Sequence, residues 1–380
     1  MKFLFLFGKI ILLFFIPILF ADGADGKLGA KNLSQIERFI AREGDVMREV
    51  PKDYPVLFKK NDHTKKGDDY HAGMNILIYG HPNIREAIDK FRYLQDLGVD
   101  SIAIVFPVFQ EDWQANEILP DAELTPTVDE LLLLIESAHQ FGMRVMLRPI
   151  LDEESIVKTG HWRGSIQPSN PDAWFESYRE LMFTYAELGE RTKLDVLNIG
   201  TELNSLERNY DKRWKKLIRE IRNVYSGELT YSFNWNVIQY IPTSNFAKSL
   251  DFIGVDAYFP LNVADDASVD DLIVAWQAWI DRYQNIFKDQ SIVLTEVGTL
   301  PIRGSHRTPY RWEYANGVAD PQTQVNYYEA TFRAWDKKVS GLYWWCITLD
   351  VNKVDLDYSP LDMPTEEVIK AHFLNSVQPN

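Results

Sequence analysis

Cysteine is nearly absent from this 380-residue chain. The single Cys346 leaves no partner for an internal disulfide and no Cys-based zinc site. The seven histidines (63, 71, 81, 139, 161, 306 and 372) are scattered, which excludes the clustered His and carboxylate ligands of a metallohydrolase. Basic residues are in deficit. Forty Lys plus Arg against 55 Asp plus Glu give a formal charge of −15, which argues against a nucleic-acid partner whose phosphates select basic faces. No apolar run reaches the ~20 residues needed to span a bilayer; the stretch from Ile10 to Phe20 is only eleven residues long. What the chain does have is apolar mass, at 46% hydrophobic, and an excess of aromatics, at 13% with eleven tryptophans. That is enough for a large core and too much for disorder.

The short apolar run, flanked or interrupted by Lys2 and Lys9, suits a signal-peptide core. Residues 1–21 are expected to be a signal peptide, with Ala21 or Ala24 before the cut, and the mature protein is expected to be secreted or periplasmic. No cysteine follows, so a lipoprotein anchor is excluded, and membrane contact is expected only if the leader stays uncleaved. Residues 22–70 are polar and charged, with one helix-like piece over residues 33–50, and read as an N-terminal arm.

From Gly73 onward short apolar runs alternate with longer amphipathic ones. Strands are expected over residues 74–79, 101–109, 144–151, 196–203, 229–235, 252–261, 292–298 and 341–349. Helices are expected over residues 84–97, 128–141, 172–189, 211–224, 269–287, 321–337 and 365–373. Thr127 and Ser268 stand as N-caps before acidic first turns, and Gly98 and Gly142 close helices just ahead of strands. Eight strands with a helix after each make an α/β chain, and the count is that of a (β/α)8 TIM barrel over residues 71–380. The rival, a doubly wound open sheet, carries a glycine-rich phosphate turn after its first strand; here that turn reads Tyr79-Gly80-His81-Pro82. Lysine is missing from all eight strands, which removes a Schiff-base aldolase.

In such a barrel the chemistry sits at the C-terminal strand ends. Strand 3 ends in Arg148-Pro149-Ile150-Leu151-Asp152, strand 4 in Asn198-Ile199-Gly200-Thr201-Glu202, and strand 5 in Asn234-Trp235-Asn236. Strand 6 ends in Asp256-Ala257-Tyr258, strand 7 in Thr295-Glu296, and strand 8 supplies Trp344-Trp345. Glu202 and Glu296 thus face one another across the mouth. Two carboxylates about 5 Å apart are what a retaining glycosidase needs, one as nucleophile and one as general acid/base. Arg148 and Tyr258 are suited to keep Glu296 ionised by charge and hydrogen bonding.

Trp162-Arg163-Gly164, Ile199-Gly200-Thr201-Glu202-Leu203, Asn234-Trp235, the run from Leu250 through Asp256-Ala257-Tyr258 to Leu261, Thr295-Glu296-Val297-Gly298 and Gly341 through Trp345 occur in this order at barrel-compatible spacing. Together they resemble glycoside hydrolase clan A, and within it family 113, whose characterised members are β-mannanases. The resemblance implies Glu202 as acid/base, Glu296 as nucleophile, Tyr258 as the nucleophile's hydrogen-bond partner and Trp345 as the platform under the sugar. Thr201 stands where most of the clan has Asn, as family 113 does. Residues 237–249 lack an expected tryptophan, Thr299 replaces a frequent aromatic, and residues 148–150 lack a common histidine; all three departures concern the sugar rather than the reaction.

Six tryptophans (Trp113, Trp162, Trp235, Trp312, Trp344 and Trp345) fall on strand ends or the loops after them, and about three are expected to stack on sugar faces. The other five fall on helices, where core packing is expected. Arg303, His306, Arg307 and Arg311 cluster after strand 7, where salt bridges to the acidic surface are favoured over an anionic substrate. The overlapping Ser155-x-x-Lys158 and Lys158-Thr159-Gly160 mimic penicillin-binding motifs that must lie far apart, and are coincidental. The expected protein is therefore an exported retaining β-glycoside hydrolase of mannan-type polysaccharide, with no cofactor and no metal. Arg148, Trp162, Asn234, Trp235, Tyr258, Trp344 and Trp345 are its candidate substrate-binding residues. The alternatives are a relative that cleaves glucan or xylan, and a glycan-binding barrel without catalysis.

Overall fold

The computed structural model describes residues 70–152, 154–349 and 357–375. The leader and, but for Tyr70, the arm lie outside them. Eight parallel strands close in sequence order into a barrel: β1 (His71–Leu77), β2 (Ser101–Val108), β3 (Arg144–Leu151), β4 (Val196–Thr201), β5 (Glu228–Asn234), β6 (Ile253–Asp256), β7 (Ile292–Val297) and β8 (Gly341–Thr348). The helices around it are α1 (Ile84–Asp96), α2 (Val128–Gln140), α3 (Glu154–Val157), α4 (Pro171–Thr192), α5 (Asn204–Asn209), α6 (Asp211–Ile221), α7 (Val269–Asp289), α8 (Pro321–Trp335) and α9 (Thr365–Asn375). Among the described residues no helix is long and apolar enough to cross a membrane.

The local chemistry explains the boundaries. Thr127 and Ser268 each form a reciprocal capping box, with Glu130 and Asp271, so α2 and α7 begin where orphan amides find side-chain acceptors. Gly98 and Gly142 take φ of +85° and +76° directly after α1 and α2, turning the chain into β2 and β3 at no steric cost. One expectation fails. No α-helix follows β5; two 3-10 turns, Ile238–Thr243 and Ala247–Ser249, bridge it to β6. Pro242 inside the first removes a backbone donor, and the segment lacks a helical apolar stripe long enough to cover two strands.

The core has two layers. Between strands and helices lies an apolar shell that holds Trp174, Trp214, Trp276 and Trp335, all essentially buried as their helical positions predict. Inside the barrel a smaller apolar set includes Val105, Met146, Val196, Val293 and Tyr343. Above it the interior turns polar: Asn75, Arg148, Asn198, Ser232, Asp256 and Thr295 are all fully buried. Buried polar groups on this scale persist only where each finds partners.

Candidate active site

The polar layer is one hydrogen-bonded network. Asn198 Nδ2 donates to Ser232 Oγ at 2.6 Å, Ser232 Oγ to Thr295 Oγ1 at 2.9 Å, and Thr295 Oγ1 to Asp256 Oδ1 at 2.9 Å. Arg148 enters from β3. Its Nη2 reaches both oxygens of Asp256, at 2.9 and 3.0 Å, and Glu296 Oε1 at 2.6 Å. Its Nη1 donates to the Thr295 carbonyl at 3.1 Å, and its Nε to Thr201 Oγ1 at 3.2 Å. Burial opposes the charge on this guanidinium, but Asp256, Glu296 and Glu202 together outweigh it and keep Arg148 protonated. Burial likewise pushes the Asp256 carboxyl up, against the pull of Arg148.

Both glutamates hang from irregular strands. Relative to β5, β4 gains one residue between Asn198 and Thr201; relative to β6, β7 gains one before Glu296. Such bulges re-aim a side chain at a barrel rim. The Glu296 side chain is nearly buried, at 7% exposure, and its second oxygen accepts the Tyr258 hydroxyl at 2.6 Å. Burial and the neighbouring carboxylate raise the Tyr258 phenol well above its ordinary range, so it remains a neutral donor. Both Glu296 oxygens thus receive donors, one charged, an arrangement that suits an ionised nucleophile.

Glu202 sits differently. Its side chain is 15% exposed; Asn234 Nδ2 donates to Oε1 at 2.5 Å, and Arg163 Nε stands 3.9 Å from Oε2. Asn234 Oδ1 accepts the Asn236 N–H at 3.1 Å, which fixes which end of the amide faces the glutamate. Glu202 also has φ of +53°, a left-handed conformation that a side-chain-bearing residue adopts only under constraint.

Family-model comparison then decides the kinship: the model of Glycoside Hydrolase Family 113 matches residues 78–355. The chain belongs to glycoside hydrolase family 113. It is therefore a glycoside hydrolase, built on the (β/α)8 barrel that the sequence implies. Among solved structures it is similar to a complex of a family 113 β-1,4-mannanase, at 24% identity and a TM-score of 0.70, covering 80% of this chain and 99% of that one. It is similar to the family 113 β-mannanase AaManA from Alicyclobacillus acidocaldarius in complex with ManMIm, at 23% identity and a TM-score of 0.67, over 80% of this chain and 97% of that one. A β-glucuronidase from Ruminococcus gnavus shares the fold at 12% identity and a TM-score of 0.55, over 80% of this chain and 51% of its own. At these identities the likeness concerns the fold. No curated protein matches the chain.

Within this family 113 barrel the structure joins Glu296, Arg148 and Tyr258 by direct contacts, pairs Glu202 with Asn234, and places the Trp345 ring 6.0 Å from the Arg148 guanidinium. Two expected substrate contacts need correction. Trp344 is fully buried outside the barrel, its ring stacked on Tyr328 of α8 at 3.6 Å, because adjacent strand residues face opposite sides. Arg148 is fully buried beneath the two carboxylates, so its role is to position and charge-balance them rather than to touch sugar. Trp162 is half-buried and folds over Gly164, where a Cβ would come within 2.2 Å of the indole. Trp235 lies parallel to Tyr310 at 6.1 Å, and Trp312, 54% exposed, meets Trp345 edge-on at 5.9 Å. Trp113 stacks on His161 at 3.9 Å. Arg307 pairs with Asp265 at 2.9 Å and Arg303 lies 3.9 Å from Asp266, so surface pairing accounts for both.

Sequence reasoning passed over Asp256, Thr201, Thr295 and Arg163. A signal for Asp256 was present: it precedes Tyr258 by two residues and so shares its face, and a buried Arg148 needs a counter-ion.

Proposed function

We propose that this protein is an exported retaining β-glycoside hydrolase that cleaves β-1,4-mannosidic bonds in mannan-type polysaccharide. One observation carries the mechanism: two glutamates at neighbouring mouth positions are held in unlike surroundings, Glu296 by Arg148 and Tyr258, Glu202 by Asn234. Unlike surroundings are what pull two carboxyls into different roles. Glu296 attacks the anomeric carbon while Glu202 protonates the departing glycosidic oxygen. Glu202 then removes a proton from water, which displaces Glu296 and releases the sugar with its configuration retained. Trp345 offers an indole face beside the cleavage point. Kinship with family 113 supports the substrate, since the solved relatives are β-mannanases. The apolar run ending at Phe20 supports export.

Glu296→Ala removes nearly all activity, and azide restores turnover as a glycosyl azide of inverted configuration. If Glu202→Ala gives that inverted azide instead, the two roles are exchanged. A screen against mannan, glucomannan, xylan and mixed-linkage glucan, with product lengths read out, tests the substrate. Cleavage of xylan or glucan with mannan untouched overturns the sugar and leaves the mechanism standing. Binding of any of these glycans with no cleavage of all four supports a non-catalytic barrel.

A further inference from the structure

Glu207 is a buried carboxyl that the two-glutamate reaction does not use. It lies on α5, immediately after β4, and its Oε1 accepts the Tyr231 hydroxyl hydrogen at 2.8 Å. The same hydroxyl oxygen accepts the backbone N–H of Leu203 at 3.0 Å. That amide belongs to the peptide joining Glu202 to Leu203. On the other side the Glu202 N–H donates to the Ser232 carbonyl at 2.9 Å. Both amides flanking Glu202 are therefore gripped by consecutive residues of β5, and between them Glu202 holds its left-handed φ of +53°.

The hydroxyl can act as a fixed anchor because the Tyr231 ring cannot move. It is fully buried on the outer face of β5, edge-on to Trp214 at 5.3 Å and to Phe246 at 5.4 Å. It also fills the space above Gly200, where a Cβ would lie 2.5 Å from its Cε2. A phenol has one hydrogen to donate, and Glu207 takes it, so the oxygen lone pairs are turned towards Leu203. Without an acceptor at residue 207 nothing sets the direction of that O–H.

We propose that Tyr231 and Glu207 form a positioning pair behind the barrel wall that holds Glu202 in the orientation needed to protonate the leaving group. This rests on the reading of Glu202 as acid/base. Neither residue touches substrate; both act through the peptide bond that follows Glu202. Burial raises the Glu207 carboxyl to about 8, so glutamine, uncharged and with an acceptor oxygen, is a close mimic of it.

The test compares kcat/KM on 2,4-dinitrophenyl and phenyl β-mannobiosides. Dinitrophenolate departs without a proton and phenolate does not, so the ratio of the two isolates acid assistance. Tyr231→Phe and Glu207→Leu are each expected to lower kcat/KM about 30-fold on the phenyl glycoside and less than about threefold on the dinitrophenyl one. Glu207→Gln is expected to rescue the loss that Glu207→Leu causes. Equal losses on both substrates, or none on either, overturn the proposal. So does Glu207→Gln behaving as Glu207→Leu does. If Tyr231→Phe does not fold, the Glu207 pair of variants decides alone. Glu202→Gln serves as reference. If it shows no dependence on the leaving group, the acid/base reading itself fails; if it does and Glu207→Leu does not, only the positioning pair fails.

Discussion

Replacing Arg148 with methionine keeps the apolar stem of the side chain and removes the fully buried cation that faces Asp256, Glu296 and Glu202. With it go two hydrogen bonds to Asp256, one ion pair to Glu296 and donations to Thr295 and Thr201. Removing one member of a buried ion pair costs about 3–5 kcal/mol, because the partner is left uncompensated. At ~2 °C per kcal/mol for a domain of this size, Tm falls by roughly 6–10 °C. The deficit must depend on pH, with a sign that can be worked out. Asp256 is already raised to about 7 in the parent, above its unfolded value of ~4, so parent and variant lose stability alike as pH rises from 4 towards 7. Without its cation Asp256 keeps the proton to higher pH still, so the deficit is smallest at pH 4 and widens as pH rises above about 7. Activity falls as well: one charged hydrogen bond to Glu296 is worth ~1.5–3 kcal/mol, or roughly 10- to 100-fold in kcat/KM. Thermal scans and initial rates from pH 4 to 8 measure both. Equal Tm deficits at pH 4 and 8, or kcat/KM within about threefold of the parent, would refute the account of Arg148 as the charge that holds the two carboxylates.

Tyr258→Phe deletes a single donor to Glu296 Oε2 and keeps the ring, so kcat/KM is expected to fall ~10-fold or more with Tm little changed. Trp344→Leu is expected to lower stability by ~3 kcal/mol or more and leave KM alone, whereas Trp312→Ala is expected to raise KM and leave Tm alone; titrations on manno-oligosaccharides separate the two. Glu136 on α2 is buried, and desolvation raises its carboxyl from 4.5 to about 7. Its folded value lies above its unfolded one, so it weakens the fold progressively between those pH values, and Glu136→Gln is expected to raise Tm at pH 8 and not at pH 4. Arg303→Ala and Arg307→Ala remove exposed, solvent-screened ion pairs and are expected to leave KM unchanged on acidic and neutral glycans alike.

What could be read from the sequence divides along physical lines. β3 lies over Arg144–Leu151 as its apolar run implies, because a strand buried on both faces leaves a continuous signature. β6 is shorter than its run: the ladder ends at Asp256, and Ala257 donates to the Glu296 carbonyl as the chain turns over the mouth. Apolar content reports burial, and loop residues at a barrel mouth are buried too. The helix expected after β5 failed for the converse reason, since a right count of strands says nothing about how each connection is made. Among site residues, Glu202, Glu296 and Tyr258 were legible because strand ends mark the mouth. Trp344 was misplaced because adjacent residues on one strand end were both assigned to it. Asp256 was missed although its spacing from Tyr258 was readable, because its partners Arg148 and Glu296 lie on two other strands and local spacing does not name them. The left-handed turn at Glu202 left no signal either: the amide that follows it is held by the Tyr231 hydroxyl, 29 residues after Glu202 in the chain.

The extra residues in β4 and β7 carry a consequence for altering this protein. A regular barrel fixes its inward-facing atoms by strand number and stagger, leaving no adjustable length at the rim. Here one inserted residue stands before each glutamate, so where each falls against its neighbouring strand depends on a local irregularity as well as on the barrel's dimensions. The placing of both glutamates is, in this architecture, a property of two short strands rather than of the barrel as a whole.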